Sequence, residues 1–265
     1  MTSDFLDMQA YVGITKHIGG IPASRTLLEL CHVSQANEVL DVGCGIGVEP
    51  VRIATTSSAR VVGLDVSERM LAWADRRARE AGVRERIDLV RGDVLDLPFA
   101  ADRFDAVICE SVLAFVADKE RAIREMVRVT RPGGWVGLNE AFLLGDSPSR
   151  KVLDLARSMG TEMITLDAWR ALWASSGLSD RTVRAYRMDP GREVRGRMRW
   201  IGLPWLVRGW ARVARVWFEH PELRDTLRTQ LGAAPEAADE GEAGDATAVW
   251  ASFGYGILAG RKPGA

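Results

Sequence analysis

Three short stretches carry residue types suited to a nucleotide-like ligand. The first is Val39-Leu40-Asp41-Val42-Gly43-Cys44-Gly45-Ile46-Gly47, an apolar run that ends on a Gly-x-Gly-x-Gly turn. Glycines at such a turn permit positive φ and let the backbone approach a ligand closely. The helix that follows aims its N-terminal amides at the same space. The dinucleotide fingerprint needs its third glycine three residues after the second. Val48 occupies that position, which argues against a nicotinamide or flavin cofactor. The second stretch, Val61-Val62-Gly63-Leu64-Asp65, places a carboxylate about 20 residues beyond the turn, where it can accept both hydroxyls of a ribose. The arginine that a 2′-phosphate would call for is missing there. The third is Gly92-Asp93-Val94, where Asp93 could accept a hydrogen bond from an adenine amino group while Val94 packs on the ring.

These residues stand at the ends of short apolar runs. Glu38–Val42, Arg60–Leu64, Ile87–Arg91, Phe104–Cys109 and Trp135–Glu140 read as buried strands. The intervening segments, from Val48, over Glu68–Glu80 and over Lys119–Val129, have helical periodicity. Such alternation predicts a mainly parallel, doubly wound α/β sheet. Further on, the reading gives a helix over Asp167–Ser176, a sixth strand over Thr182–Met188 and a last one over Phe253–Arg261. Residues 1–36 read as an amphipathic helical cover, and 189–248 as an insertion. Its first part, Arg192–Gln230, is basic and tryptophan-rich; its second, Leu231–Ala248, is rich in Ala, Glu, Gly and Asp and reads as a mobile loop.

Composition narrows the function further. The chain has 265 residues with 35 basic against 36 acidic, so bulk charge gives no reason to expect a nucleic-acid partner. Cys31, Cys44 and Cys109 form no CxxC pair, so neither a zinc site nor a disulfide framework is indicated, and a reducing, cytoplasmic setting fits. Met1–Ala10 carries Asp4 and Asp7 and does not read as a signal peptide, and no apolar run reaches the roughly 20 residues that span a bilayer.

Taken together, the Asp41–Gly47 turn, Asp65, Gly92-Asp93, Leu97-Pro98-Phe99, Phe104-Asp105 and Arg131-Pro132-Gly133-Gly134 resemble the class I S-adenosylmethionine-dependent methyltransferases over residues 37–141. Within that family the chain is most similar to small-molecule enzymes of the quinone, sterol and lipid type. The resemblance implies a Rossmann-like seven-stranded sheet of order 3-2-1-4-5-7-6, with Tyr255-Gly256-Ile257-Leu258-Ala259-Gly260-Arg261 as an antiparallel last strand. It implies a cofactor domain formed by 37–188 and 249–265, with S-adenosylmethionine contacted by Asp41, Gly43, Cys44, Gly45, Gly47, Asp65, Val66, Asp93 and Val94. In the family Asp41 orients the loop by bonding backbone amides, while Cys44 reads as a small loop residue. A segment like Asn-Pro-Pro-Tyr after the fourth strand would mark base amino-group methylation; Cys109-Glu110-Ser111-Val112 stands there instead.

By the same analogy the transferred methyl lies over the ends of the fourth and fifth strands, where Glu110 and Glu140 stand. Glu110 either contacts cofactor or acceptor, as a positioning group or base, or caps the next helix with Ser111. Glu140 is a second candidate base, or else a solvated or ion-paired acid. In the N-terminal segment, His17 is a candidate general base and Tyr11 a cover for the methionine end of the cofactor. Beyond Pro204, Leu203, Leu206, Trp210, Val213 and Trp217 fall on one helical side and Arg208, Arg212 and Arg215 on the other. That pattern fits an apolar stripe packed on the sheet, a lining for the acceptor pocket, or a peripheral membrane contact through 192–219. The last two favour an apolar small-molecule acceptor. An RNA or protein methyltransferase, or a binding protein without turnover, remain the alternatives.

Overall fold

The computed structural model describes residues 4–13, 18–145, 150–158, 160–189, 203–221, 224 and 252–264. Its centre is a seven-stranded sheet of order β3-β2-β1-β4-β5-β7-β6. Strands β1 (Glu38–Val42), β2 (Arg60–Asp65), β3 (Ile87–Arg91), β4 (Phe104–Glu110) and β5 (Thr130–Leu143) run parallel. β7 (Phe253–Arg261) runs antiparallel between β5 and β6 (Ser179–Arg187). The order and the antiparallel strand are those the family resemblance implies. Every residue of β4 is buried, as expected for a central strand covered on both faces.

Helices α1 (Asp4–Val12), α2 (Gly20–Leu30), α3 (Val48–Thr56), α4 (Glu68–Glu80) and α5 (Lys119–Val129) account for the first half of the chain. Their starts are chemically marked. Ser67 accepts the Met70 amide ahead of α4, and Asp118 accepts that of Arg121 in α5, which satisfies amides left open by the helix geometry. Two apolar clusters cover the sheet. One gathers Leu40, Leu64, Val107, Met126 and Trp173; the other gathers Leu27, Val39, Ile53, Ile108 and Ile257.

Several boundaries differ from the sequence reading. β5 starts at Thr130 and continues to Leu143, passing through Arg131-Pro132-Gly133-Gly134, and the register against β4 shifts between Phe104 and Ala106. That irregularity absorbs a proline, which cannot donate to the ladder. A helix absent from the sequence reading, α6 (Arg150–Ser158), precedes α7 (Leu166–Ser175). Within the insertion, α8 spans Leu203–Glu219; the loop expected at 231–248 lies outside the described residues, as does His17.

The face assigned to α8 also needs correction. Gly209, Val213 and Val216 turn inward, with Val213, Val216 and Trp217 packing against Met8 and Val12 of α1. Arg212, expected on the solvent side, faces in with them: its Nε donates to the carbonyl of Val12 (2.5 Å) and its guanidinium lies 4.6 Å from the Trp73 ring centroid. Trp210, expected on the packed stripe, is 58% exposed, beside Val207 at 62% and Phe218 at 76%. No described helix is long and apolar enough to cross a membrane.

Candidate active site

A cavity of about 400 Å³ opens at the carboxyl ends of the parallel strands, where ligands bind in open α/β sheets, and its size suits a small-molecule site. One end is built by the glycine turn. The amides of Gly43 and Cys44 donate to the carbonyl of Leu64 (2.7 and 2.9 Å), so the turn is pinned to the end of β2. The Gly45 amide donates to Oδ2 of Asp65 (2.9 Å), and the Ser67 amide to Oδ1 (2.9 Å). Asp65 thus does the loop-bonding expected of Asp41. Burial pushes the Asp65 carboxyl up, and the amides of Ser67, Gly45 and Val66 pull it back down. Gly43, Cys44, Gly45, Asp65, Val66, Asp93 and Val94 all line this end. Oδ1 of Asp93 accepts the Leu95 amide (2.9 Å), while Val94 is buried and Val66 half exposed.

Asp41 and Gly47 do not line the cavity. Asp41 is buried beneath the turn, its carboxyl pushed well up by burial and by Glu49, Glu110 and Asp65, against the opposing Arg52 guanidinium. Gly47 has φ +77°, and a Cβ there would lie 2.8 Å from Cα of Ala74. It is the residue that lets α3 start against α4. Cys44 is buried, and burial raises its thiol well above the usual range, which leaves little of the thiolate that a nucleophile requires.

The other end of the cavity is formed by the segment after β4 and by α1. Ser111, Val112, Ala114, Phe115, Thr161 and Met163 line it, with Leu6, Asp7 and Gln9 contributed by α1. Glu110 reaches the wall from a buried position: its Oε2 accepts Ser24 Oγ (2.8 Å) and Asn139 Nδ2 (2.9 Å), and burial raises its carboxyl. It does not cap the following turn; that task belongs to Glu140. The Glu140 carboxylate, fully buried, accepts the amides of Val112 (2.9 Å), Leu113 (2.8 Å) and Ala114 (3.4 Å). Glu140 is therefore neither a solvated nor an ion-paired acid. Burial pushes its carboxyl up to about 7 against those three amides and Lys119. A carboxyl raised in this way adds stability that is fully present below its usual pKa of 4.5 and is lost as pH rises through about 7.

Tyr11 is not on the wall. Its ring centroid lies 4.3 Å from that of His220, with the Arg69 guanidinium 3.9 Å away on its face. α1 presents Leu6, Asp7 and Gln9 instead, and it is fastened at its C-terminal end, where Trp73 Nε1 donates to the Ala10 carbonyl (3.0 Å) and Arg212 to that of Val12. These cavity residues of α1, and Thr161 and Met163, escaped the sequence reading because no spacing or residue type distinguishes them; they become neighbours only through tertiary packing.

A doubly wound sheet with one antiparallel strand, a glycine turn at β1 and acidic residues at the ends of β2 and β3 make up a Rossmann-like architecture. Residues 40–138 match the family described as methyltransferase domain. It is 33% identical over 146 residues to methyltransferase GfsG of Streptomyces halstedii, covering 55% of this chain and 51% of the relative. It is 33% identical over 147 residues to 27-O-demethylrifamycin SV methyltransferase of Amycolatopsis mediterranei, covering 54% of each. The chain thus spans about half the length of these relatives. The S-adenosylmethionine-dependent methyltransferase from Thiobacillus denitrificans, solved with S-adenosyl-L-homocysteine, superposes with a TM-score of 0.69 at 20% identity over 98% of both chains.

Proposed function

We propose that this protein binds S-adenosylmethionine at the glycine-turn end of the cavity and transfers its methyl group to a small, apolar acceptor at the other. The observation that carries this reading is the turn itself. Gly43 and Gly45 hold positive φ on the cavity wall (+72° and +52°), with Asp65 bonded to the turn and facing the same space. A nucleoside can lie on bare backbone there, with its ribose hydroxyls at the Asp65 carboxylate, its adenine between Val66 and Val94, and its amino group toward Asp93. Among the described residues, the charged ones that line the cavity, Asp7, Asp65, Asp93, Glu110 and Glu140, are acidic, which suits a cation such as a sulfonium.

The sulfonium supplies an already activated methyl. On transfer, the bond from sulfur to methyl breaks as the acceptor atom bonds the carbon, and sulfur keeps the electron pair. The protein's task is alignment and exclusion of water, which can lower the barrier by about 7–11 kcal/mol. The same acidic lining supports a neutral or cationic acceptor over a phosphorylated one, and Ala114, Phe115 and Met163 support an apolar body. Calorimetry should show binding of S-adenosylmethionine and S-adenosylhomocysteine and none of NAD. Tight NAD binding with no response to the sulfonium compound would overturn the reading. Mass spectrometry of cell extract supplied with methyl-labelled cofactor would then identify the acceptor.

A lipophilic acceptor also fits the outer surface of α8. Val207, Trp210 and Phe218 are exposed there, with the exposed Arg208 and Arg215 alongside, an arrangement suited to an anionic membrane surface. Each basic group near such a surface contributes about 1 kcal/mol. Flotation with anionic vesicles at low salt is expected to carry the protein, and the Arg208→Gln/Arg215→Gln variant to reduce it. Equal, negligible flotation with neutral and anionic vesicles at low and high salt would remove the membrane from the proposal and leave the cavity reading intact.

A further inference from the structure

Three consecutive amides converge on one buried carboxylate at the cavity wall. Val112, Leu113 and Ala114 open a short 3-10 turn, Leu113–Phe115, and their N–H groups all point to Glu140. A turn start gathers partial positive charge, so a carboxylate there is held by charge-assisted hydrogen bonds. The same segment is tied at further points. The Ser111 amide donates to the Asn139 carbonyl (2.8 Å), Glu162 donates its amide to the Ala114 carbonyl (2.7 Å), and Lys119 Nζ donates to the Val116 carbonyl (2.8 Å).

What this segment touches gives the arrangement its meaning. A Cβ on Gly43 would lie 2.3 Å from Cγ2 of Val112, so the Val112 side chain sits directly on the cofactor turn. Ala114 and Phe115, further along the same segment, also line the cavity. A rigid segment that rests on the glycine turn and continues along the wall fixes the distance between them.

We infer that Glu140 is a positioning residue: through the amides of Val112, Leu113 and Ala114 it holds the acceptor-side wall against the glycine turn and so sets the distance between the two bound ligands. Its Oε1 accepts two of the amides and its Oε2 the third, so the contacts it makes are those of a holding group. This role rests on the methyl-transfer reading for its purpose, though the holding of the wall does not. The groups facing Glu140 are Lys119 at the start of α5, which favours its ionised form, and Cys109 of β4, whose thiol Glu140 pushes up; Glu162 acts on Lys119 from the far side. Burial outweighs the three amides and raises the Glu140 carboxyl, so the packed wall holds the proton more tightly than a loosened one and is weakened as pH rises through about 7.

The test uses the full chain, with S-adenosylhomocysteine as the probe. Without ligand, amide hydrogen exchange at 112–114 should be at least tenfold faster in Glu140→Gln than in wild type, while exchange in β1 and β4 stays unchanged. S-adenosylhomocysteine should bind the variant several-fold more weakly. Wild-type affinity should fall about threefold or more between pH 6 and pH 8, and the variant should be flat over that range. Unchanged exchange at 112–114, or an identical pH profile in a folded variant, would overturn the inference. If Glu140→Gln does not fold, Val112→Ala carries the test: the probe must bind several-fold more weakly, and unchanged affinity refutes the coupling. Failure of wild type to bind the probe at all would sink the methyl-transfer reading, and the exchange comparison would still decide whether Glu140 holds the wall.

Discussion

Asp65→Ala is expected to weaken S-adenosylmethionine binding by at least tenfold while the protein stays folded. Two losses combine. The ribose hydroxyls lose a carboxylate acceptor, and hydrogen bonds to a charged group contribute about 1.5–3 kcal/mol each. The amides of Gly45 and Ser67 also lose the oxygens that accept them, so the turn that receives the cofactor is no longer fixed. Asp65→Asn separates the two effects. It keeps one acceptor for the loop and loses the charge, and its affinity should fall between wild type and Ala. Calorimetric titration with the cofactor measures both. An unchanged dissociation constant in a folded Asp65→Ala protein would place the ribose elsewhere.

Gly47→Ala is expected to act on stability first. At φ +77° a side chain costs about 1–2 kcal/mol in backbone strain. Its Cβ would also meet the backbone of Ala74 at 2.8 Å, and overpacking of this kind costs about 1–3 kcal/mol. For a chain of this size the sum corresponds to a fall of roughly 5–15 °C in Tm. Gly47 is absent from the cavity wall, so affinity for S-adenosylhomocysteine, measured well below the new Tm, should change less than the stability does. A large loss of affinity at unchanged Tm would return Gly47 to the ligand.

Much of the sheet and the helices beside it was legible because the signals are local. β1, β3, α4, α5 and β7 have the boundaries read from the sequence: apolar runs bounded by glycine or by a capping residue need no partner to be recognised. β5 was cut short because Pro132-Gly133-Gly134 reads as a stop, and only the irregular register with β4 accommodates it. The face of α8 was misread for a different reason. Arginine is ordinarily solvated, but Arg212 finds a carbonyl on α1 and an indole on α4, and neither is visible until those elements meet.

The candidate site divides along the same line. The cofactor end follows from spacing at strand ends, since the sheet fixes where those ends point. The rest of the cavity wall is assembled from α1, the segment after β4 and the stretch before α7, which have no common sequence signal. Glu110 and Glu140 were singled out by position alone, and position did not say what each would bond. That depended on Ser24 and Asn139 for one and on three amides for the other.

The place of β7 has a consequence for synthesis. β6 is an edge strand whose one neighbour is β7, and β7 also completes the side of β5. Between Arg187 and Phe253 the ribosome must add the whole of the insertion, which at cellular rates of about 5–20 residues per second takes roughly 3–13 s. Throughout that interval β5 offers an open hydrogen-bonding edge, Trp135 to Leu143, to any other extended chain, and β6 has nothing to pair with. The nascent protein is thus most exposed to misassociation after most of its cofactor end has been made, and slower translation of the insertion should lower its soluble yield.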